Sequence, residues 1–458
     1  MSDPLTSTPG DSGLAAASPV LKAHEAAQYR ELESCSPEEI AATQNRLLAA
    51  HLAYAASSSP FYREWFTRHC IDLSAVRGVQ DLPLIPCTEK VHLTEANEAF
   101  LAAPAAEIVD VCLTSATTGP QGTQLLQTAE DLSRLGYNEQ MAFAMAGVKP
   151  DDVLVVCAAL DRCFMAGLAY YLGGLALGAR LVRAGAGSAA QHWQLLKQTG
   201  GTVIVGVPSL MRRIAEYAVE RGEDPADMGV RRLVGIGEAT RDSKLELLPA
   251  ARRLEELWGA ELFATYASTE LATTFCECAA RQGSHLRPEL LVVEIVDEKQ
   301  QPLPDGESGE VVVTPLGVKG MPLVRFRTGD VSFLIDKACA CGRRTKRLGP
   351  ILGRKNQMLK FKGTLLFPSM ILAVAEGFPG VRDGCVEVRA NPDGTDHVAV
   401  YLAPLAAEAC ADRLTEELRA RLRVRPELKF IAEDELEQKV QLPGKRKKTT
   451  FIDLRSKQ

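Results

Sequence analysis

From Val111 onward, short β-branched and apolar runs alternate with stretches of helical periodicity, and this pattern constrains the fold more than any other feature of the chain. Such alternation is the signature of an α/β sheet with helices packed on its faces. Val153–Ala158, Thr202–Val207, Arg232–Ile236 and Glu261–Thr265 read as strands. Pro208-Ser209 opens an amphipathic helix over Leu210–Glu220 directly after a buried strand, where proline's fixed φ suits a first helical turn. Leu291–Asp297 and Glu310–Pro315, joined through LPDGESG, read as a hairpin with a long turn.

The flanks have a different character. Residues 1–20 are rich in Ser, Pro, Gly, Asp and Ala and are expected to be a disordered tail. Leu21–Ala103 reads helical, with Ser36-Pro37 as a start signal for an apolar-periodic stretch over Glu38–Ala55. SSPFYREWF places aromatics beside a chain break, where they are expected to pack the helical region onto the rest of the chain. Beyond Gly353 a smaller α+β unit begins: Cys385–Arg389 and His397–Leu402 flank the turn NPDGT, and Glu408–Leu422 reads as one helix. At 458 residues two or more domains are expected, here 21–353 and 354–458 after the tail. No internal repeat is present.

Net charge of −6 without a long basic block argues against a nucleic-acid partner. No apolar run approaches the roughly 18 residues that span a bilayer. MSDPLTSTPGDSG lacks the basic and apolar regions of a signal peptide. Twelve cysteines without a secretion signal therefore read as reduced thiols in a cytoplasmic protein, where CxC pairs point to metal or redox sites before disulfides.

Three stretches carry chemistry. Leu113-Thr-Ser-Ala-Thr-Thr-Gly-Pro-Gln-Gly-Thr123 concentrates hydroxyls and glycines, which let backbone N–H groups turn toward a phosphate; it is not a Walker A loop, because no Gly-Lys-Ser/Thr follows. Tyr266-Ala-Ser-Thr-Glu270 sets a hydroxyl pair ahead of a carboxylate at a strand end, which suits Mg2+ beside phosphate oxygens; the alternative is that Ser268 or Thr269 caps a helix. Asp330, in Arg-Thr-Gly-Asp, is expected on a tight turn, holding a ribose or bonding its own backbone.

The hydroxyl loop, YASTE, RTGD, Gly353-Arg354 with KFKG, and the lysine-rich PGKRKKTTFIDLR occur in the order that resembles the adenylate-forming ligase superfamily. Within it, SSPFYREWF, DLPLIPCTEK, LVGIGEATRD, GMPLVRFRTGD, CACGRR and LLFPSM resemble the phenylacetate–CoA ligase family, over about Arg46 to Arg455. The resemblance implies a large N-terminal adenylate-forming domain with mixed sheets flanked by helices, plus a small mobile C-terminal domain. It implies two steps: an aromatic carboxylate attacks the α-phosphate of ATP, and the acyl group then passes to a thiol, usually coenzyme A. By the same resemblance Ser115, Thr117, Thr118 and Gly119 hold the pyrophosphate end, and Gly237 and Glu238 lie along adenine and the acyl site. Tyr266 packs on adenine, Thr269 touches the α-phosphate, Glu270 binds Mg2+, Asp330 binds ribose and Arg354 contacts the nucleotide. Phe164 lines the aryl pocket or is plain core. The catalytic lysine is Lys447 counted back from Asp453, or Lys445 by the local Gly-Lys match.

Several members of that family carry zinc near the corresponding cysteines. Structural zinc prefers four S/N ligands, which selects Cys278, His285, Cys339 and Cys341, with Cys276 competing for the place of Cys278; the alternative is a set of free cysteines. The chain also departs from the family. Ala116 replaces a loop glycine, Pro120-Gln121 stands where a lysine is expected, Lys355-Asn356-Gln357 replaces acidic hinge text, and Ser369-Met370-Ile371-Leu372 replaces a tract ending in Glu. The leading expectation is an aryl-acid–CoA ligase. The others are an adenylating enzyme that hands the acyl group to an amine, hydroxyl or second aryl acid, and a catalytically silent scaffold. The family also raises the expectation of a homodimer.

Overall fold

Ser36 and Glu39 form a reciprocal capping box, each side chain serving the other's backbone N–H, and with Pro37 they start α1 (Pro37–Ser58). A cap of this kind contributes about 1 kcal/mol. Leu48, Leu52 and Ala55 fall on one face and are buried. Ser59 ends α1 and caps α2 (Pro60–Arg68), whose Phe61 stacks on Phe100 at 3.8 Å. The buried Tyr62 hydroxyl accepts from Val324 N at 2.7 Å and ties these helices to the strands of the C-terminal half. The chain then runs beside residues 325–327, with Thr88 N donating to Arg325 O, before α3 (Lys90–Glu95). The computed structural model of the chain describes residues 24–114, 123–361, 364–391, 396–404, 411–441 and 449–455; the expected N-terminal tail lies outside them.

An antiparallel ribbon, β1 (Ile108–Leu113) and β2 (Gln124–Thr128), leads into α4 (Ala129–Met145). Alternation follows: β3 (Val153–Val156), α5 (Met165–Leu177), β4 (Arg180–Arg183), α6 (Ala189–Thr199), β5 (Val203–Gly206), α7 (Pro208–Val219), β6 (Arg232–Gly235), α8 (Pro249–Trp258), then β7 (Glu261–Ser268) and β8 (Thr273–Cys276). They form one sheet in the order β4-β3-β5-β6-β7-β8, parallel except for the β7–β8 pair. Every residue of β3 and β5 is buried, as expected for strands covered on both faces, and each Val, Leu or Ile so buried contributes about 1.5–3 kcal/mol. The chain passes from β3 out to β4 and back to β5 on the other side, so the winding reverses between β3 and β5. Ligands of open α/β sheets bind outside the carboxyl ends of strands at such a point. α5 lies against α4 because Gly173 has no side chain: a Cβ there would come within 2.2 Å of Glu139 Cβ.

A second set of strands comes next: β9 (Ser284–His285), β10 (Leu291–Val296), β11 (Gly309–Pro315), β12 (Phe326–Ser332), β13 (Leu334–Ile335), β14 (Arg347–Leu348) and β15 (Gly353–Arg354). They make a four-stranded sheet β10-β11-β12-β15 and a three-stranded sheet β13-β14-β9. The hairpin read from LPDGESG is β10–β11. Asp330 does not sit on a tight turn: the RTGD text is strand β12, and Gly329 takes φ of 75° where the pairing with β11 shifts register. The two arginines of RFRTGD are structural here. Arg325 is buried in a fork with Glu294, and Arg327 pairs with Glu310 and Glu89.

The remaining elements are β16 (Leu359–Phe361), β17 (Thr364–Leu366), α9 (Pro368–Glu376), β18 (Val381–Ala390), β19 (Asp396–Pro404), α10 (Ala411–Leu422), β20 (Glu427–Phe430), α11 (Glu433–Val440) and β21 (Phe451–Asp453). Their sheet runs β20-β19-β18-β21 and has its own core, centred on Ile371, Val386, Val400, Leu414 and Leu418. Among the described residues no helix is long and apolar enough to cross a membrane.

Candidate active site

The turn Thr269–Ala272 between β7 and β8 projects Thr269 and Glu270; no helix follows, so Ser268 and Thr269 cap none. Buried Arg134 holds this turn from behind. Its guanidinium donates to the carbonyls of Ala272, Leu290 and Leu316 and to Thr273 Oγ1. Glu270 is half-buried and pairs with Lys90, Oε1 to Nζ at 3.2 Å. Lys90 opens α3 and reaches Glu270 because residues 88–90 are strapped to β12, where Arg327 N donates to Thr88 O. Motif reasoning misses this lysine. It stands in the DLPLIPCTEK tract, but nothing local in that text says which distant carboxylate it meets.

Asp330, Tyr266 and Arg354 converge beside this turn. Tyr266 donates its hydroxyl to Asp330 Oδ2 at 2.8 Å, and Arg354 Nε donates to Asp330 Oδ1 at 3.1 Å. Burial raises the Asp330 carboxyl above its usual range, and the Arg354 guanidinium and Tyr266 hydroxyl oppose that rise. Burial likewise pushes the Tyr266 phenol well above its ordinary value, so it is a donor at every working pH. Its ring stacks on Phe275 at 5.7 Å and 19°, which fixes the plane of the ring.

Phe164 is the N-cap residue of α5 and half-buried, in the loop after β3 on one side of the winding reversal. Gly237 and Glu238 are exposed in the loop after β6. Both Glu238 oxygens are engaged at the start of α7, accepting from Ser209 N at 2.8 Å and Ser209 Oγ at 2.5 Å. The carboxylate therefore braces the loop against the positive end of a helix. Ser115, Thr117, Thr118 and Gly119 lie outside the described residues, as do Lys445 and Lys447. Just past Arg354, Lys355 Nζ meets Glu310 Oε2 at 3.3 Å, and Arg455 donates to the carbonyls of Asn356 and Met358 at 3.3 and 3.1 Å.

Four side chains from distant parts of the chain meet near β9 and β14. The ligand atoms of Cys278, His285, Cys339 and Cys341 all lie within 4.8 Å of one another, with Cys278 Sγ 3.6 Å from Cys339 Sγ and Cys341 Sγ 3.3 Å from His285 Nε2. Tetrahedral zinc with bonds of about 2.3 Å to sulfur puts sulfurs about 3.8 Å apart, so the donor set fits. His285 Nδ1 is taken by Thr345 Oγ1 at 2.9 Å, which turns Nε2 to the thiols. Burial, with Arg343 and Arg347 nearby, lowers the imidazole to about 4, keeping it in the neutral form a metal needs. Cys276 is elsewhere: it is buried in the core with Tyr170 and Phe263.

Residues 53–318 match the model of the AMP-binding enzyme family. The chain is 32% identical to a phenylacetate-coenzyme A ligase of Thermus thermophilus over 77% of its own length and 78% of that protein. It is 28% identical to the phenylacetate-coenzyme A ligase of Escherichia coli K12, over 74% and 77%. Among solved structures it superposes on 2-hydroxyisobutyryl-CoA ligase in the postadenylation state with a TM-score of 0.82 at 22% identity, covering 93% of this chain and 91% of that one. The chain thus belongs to the phenylacetate–CoA ligase family of the adenylate-forming, AMP-binding enzymes.

Proposed function

We propose that this protein activates an aromatic carboxylic acid with ATP and transfers the acyl group to coenzyme A. The observation that carries the reading is the meeting of Asp330, Tyr266 and Arg354 beside the Glu270–Lys90 pair. A buried carboxylate held by the fixed Tyr266 hydroxyl and by the exposed Arg354 side chain can accept from the hydroxyls of a ribose once Arg354 turns aside, which places the α-phosphate toward Thr269. The acid's carboxylate oxygen then attacks that phosphorus, the bond to the β-phosphate breaks and pyrophosphate leaves. In the second step the thiol sulfur attacks the acyl carbonyl and AMP leaves.

Glu270 is the residue for Mg2+, which takes one or two carboxylates with phosphate oxygens and when bound neutralises charge on the triphosphate. Lys90, paired with Glu270 at 3.2 Å, is a second cation at the same place and would remain beside the phosphates if Glu270 held the metal. It supplies positive charge near the phosphates in a chain whose loop carries Pro120-Gln121 instead of a lysine. Ser115, Thr117, Thr118 and Gly119 complete that end of the site, and Lys447 or Lys445 stabilises charge in the transition state. Phe164, Gly237 and Glu238 border the acid, where the winding reversal favours a ligand. Residues 21–353 and 354–458 act as two bodies, with Arg354–Gln357 as the joint. Cys278, His285, Cys339 and Cys341 hold a structural zinc, four protein ligands leaving no open position. Relatives that are coenzyme A ligases favour coenzyme A as acceptor over an amine, a hydroxyl or a second acid. Acid-dependent pyrophosphate release over a panel of aryl acids tests the first step, and detection of the thioester by mass spectrometry tests the second.

A further inference from the structure

Two arginines stand at matching places beside the cysteine–histidine set. Arg287 lies two residues beyond His285 and Arg343 two residues beyond Cys341, and both reach one carboxylate, that of Glu33. Arg287 Nη1 donates to Glu33 Oε2 at 2.9 Å, and Arg343 Nε lies 2.8 Å from Glu33 Oε1. Each oxygen of Glu33 is thus taken by a different guanidinium. The main chain closes the same contact, with Arg344 N donating to Glu33 O at 2.7 Å. Glu33 and Arg287 are buried, and Arg343, half-buried, lies beside the Cys341 thiol. Glu33 belongs to neither ligand-bearing loop: it sits in the short helical turn Leu32–Ser34, 254 residues from Arg287 along the chain.

The segment of residues 24–35 has little else to hold it. Its buried residues are His24, Ala26, Leu32 and Glu33. A further tie, from Arg46 to the Tyr29 hydroxyl at 2.6 Å, is exposed to solvent. Its helical turns, Glu25–Tyr29 and Leu32–Ser34, are too short to be stable without tertiary support. An ion pair so little exposed is costly to break from one side, because removing one partner leaves the other's charge buried and unpaired. Glu33 therefore does two things with one group. It anchors this segment, and it fixes the spacing of the two loops that carry His285 and Cys341. A divalent zinc held by three thiolates carries one net negative charge, which guanidiniums at this place complement.

We infer that Glu33 is a positioning residue for the metal site: it holds the loops of His285 and Cys341 in ligating geometry, and metal binding in turn fastens residues 24–35 to the fold. This rests on the zinc reading above. Residues that orient ligands from behind change metal affinity by about 10- to 100-fold. The coupling is reciprocal, so the factor that the docked segment adds to zinc affinity is the factor that zinc adds to docking. Glu33→Gln keeps the shape but replaces one acceptor oxygen by an NH2 donor, so one of the two arginines then faces a donor.

The test has two readouts, neither of them catalytic. The first is zinc affinity, measured by competition with a chromophoric chelator on protein whose circular dichroism shows it folded. Glu33→Gln and Arg343→Gln are expected to weaken it at least about tenfold, whereas Glu31→Gln, which removes the same charge from an exposed position in the same segment, is expected to leave it within about twofold. The second is the rate at which trypsin cuts after the exposed Arg30, followed by mass spectrometry in the wild type with zinc bound and with zinc removed. Removal is expected to speed that cut by about the factor lost in the Glu33 variant, and it needs no variant to fold. A merely structural glutamate would lower the melting temperature and move neither readout. Zinc affinity within about twofold of wild type in the folded variants overturns the inference while the zinc reading stands. So does a cut after Arg30 that is indifferent to zinc, or a removal of zinc that opens the whole chain alike to trypsin. If the wild type binds no zinc, the zinc reading fails and takes this inference with it.

Discussion

Asp330 on β12 and Arg354 on β15 are direct cross-strand partners, and Arg354 Nε donates to Asp330 Oδ1 at 3.1 Å. The register of one short strand thus brings Arg354 against the carboxylate proposed to bind ribose. In that proposal the side chain at the proposed joint also touches the nucleotide site. Asp330→Asn keeps the volume and removes the charge that both partners serve. It is expected to raise the KM for ATP at least tenfold, about 1.4 kcal/mol or more, while the far-UV circular dichroism is unchanged. An unaltered KM for ATP removes Asp330 from the nucleotide site.

Glu270→Gln is expected to abolish acid-dependent pyrophosphate release, because a neutral amide cannot replace the carboxylate at a hard cation. Lys90→Met is expected to lower kcat/KM for ATP by about 10- to 100-fold. Since Lys90 and Glu270 form an ion pair before substrate enters, the losses of ATP-binding affinity in the two single variants are expected to be less than additive in the double variant. Additive losses would show that Lys90 acts elsewhere.

One zinc per chain is expected from elemental analysis of the purified protein. Cys339→Ser or Cys341→Ser should abolish it and lower the melting temperature, whereas Cys276→Ala should retain it, since Cys276 lies in the sheet core. Loss of the metal in the Cys276 variant alone would reassign the ligand set.

Glu139 makes stability fall with pH. Burial raises its folded pKa to about 7 from 4.5. Between these values the unfolded chain has lost the proton while the folded one keeps it, so stability present below about 4.5 is lost as pH rises through about 7. Glu139→Gln, which does not titrate, is expected to gain on wild type by about 1–3 kcal/mol between pH 5 and pH 7.5 in denaturant titrations. A constant difference across that range would mean that Glu139 is ionised in the fold.

The strands of the large α/β region can be anticipated from sequence because they are local apolar runs: the observed β3, β5, β6 and β7 overlap Val153–Ala158, Thr202–Val207, Arg232–Ile236 and Glu261–Thr265. RTGD reads as a turn because Gly329 looks like turn chemistry; the bulge it makes is visible only once β11 is beside it. Lys90, Arg134 and the open oxygen of Glu139 are not legible either, since each acts on a partner more than one hundred residues away or lacks one altogether. The set of three cysteines and one histidine is legible as a set of types, and the choice between Cys276 and Cys278 needs coordinates. Cys276 ends β8 and packs in the sheet core, whereas Cys278, two residues beyond, reaches Cys339 and His285.

The central test is pyrophosphate release from ATP in the presence of single aryl acids, with later addition of coenzyme A and mass analysis of the products. Acid-dependent pyrophosphate is predicted with at least one aryl acid, and after coenzyme A is added, AMP and the acyl thioester in equal amounts. Absence of acid-dependent pyrophosphate across a broad aryl-acid panel, with a folded and metal-loaded protein, would overturn the proposed aryl-acid ligase activity.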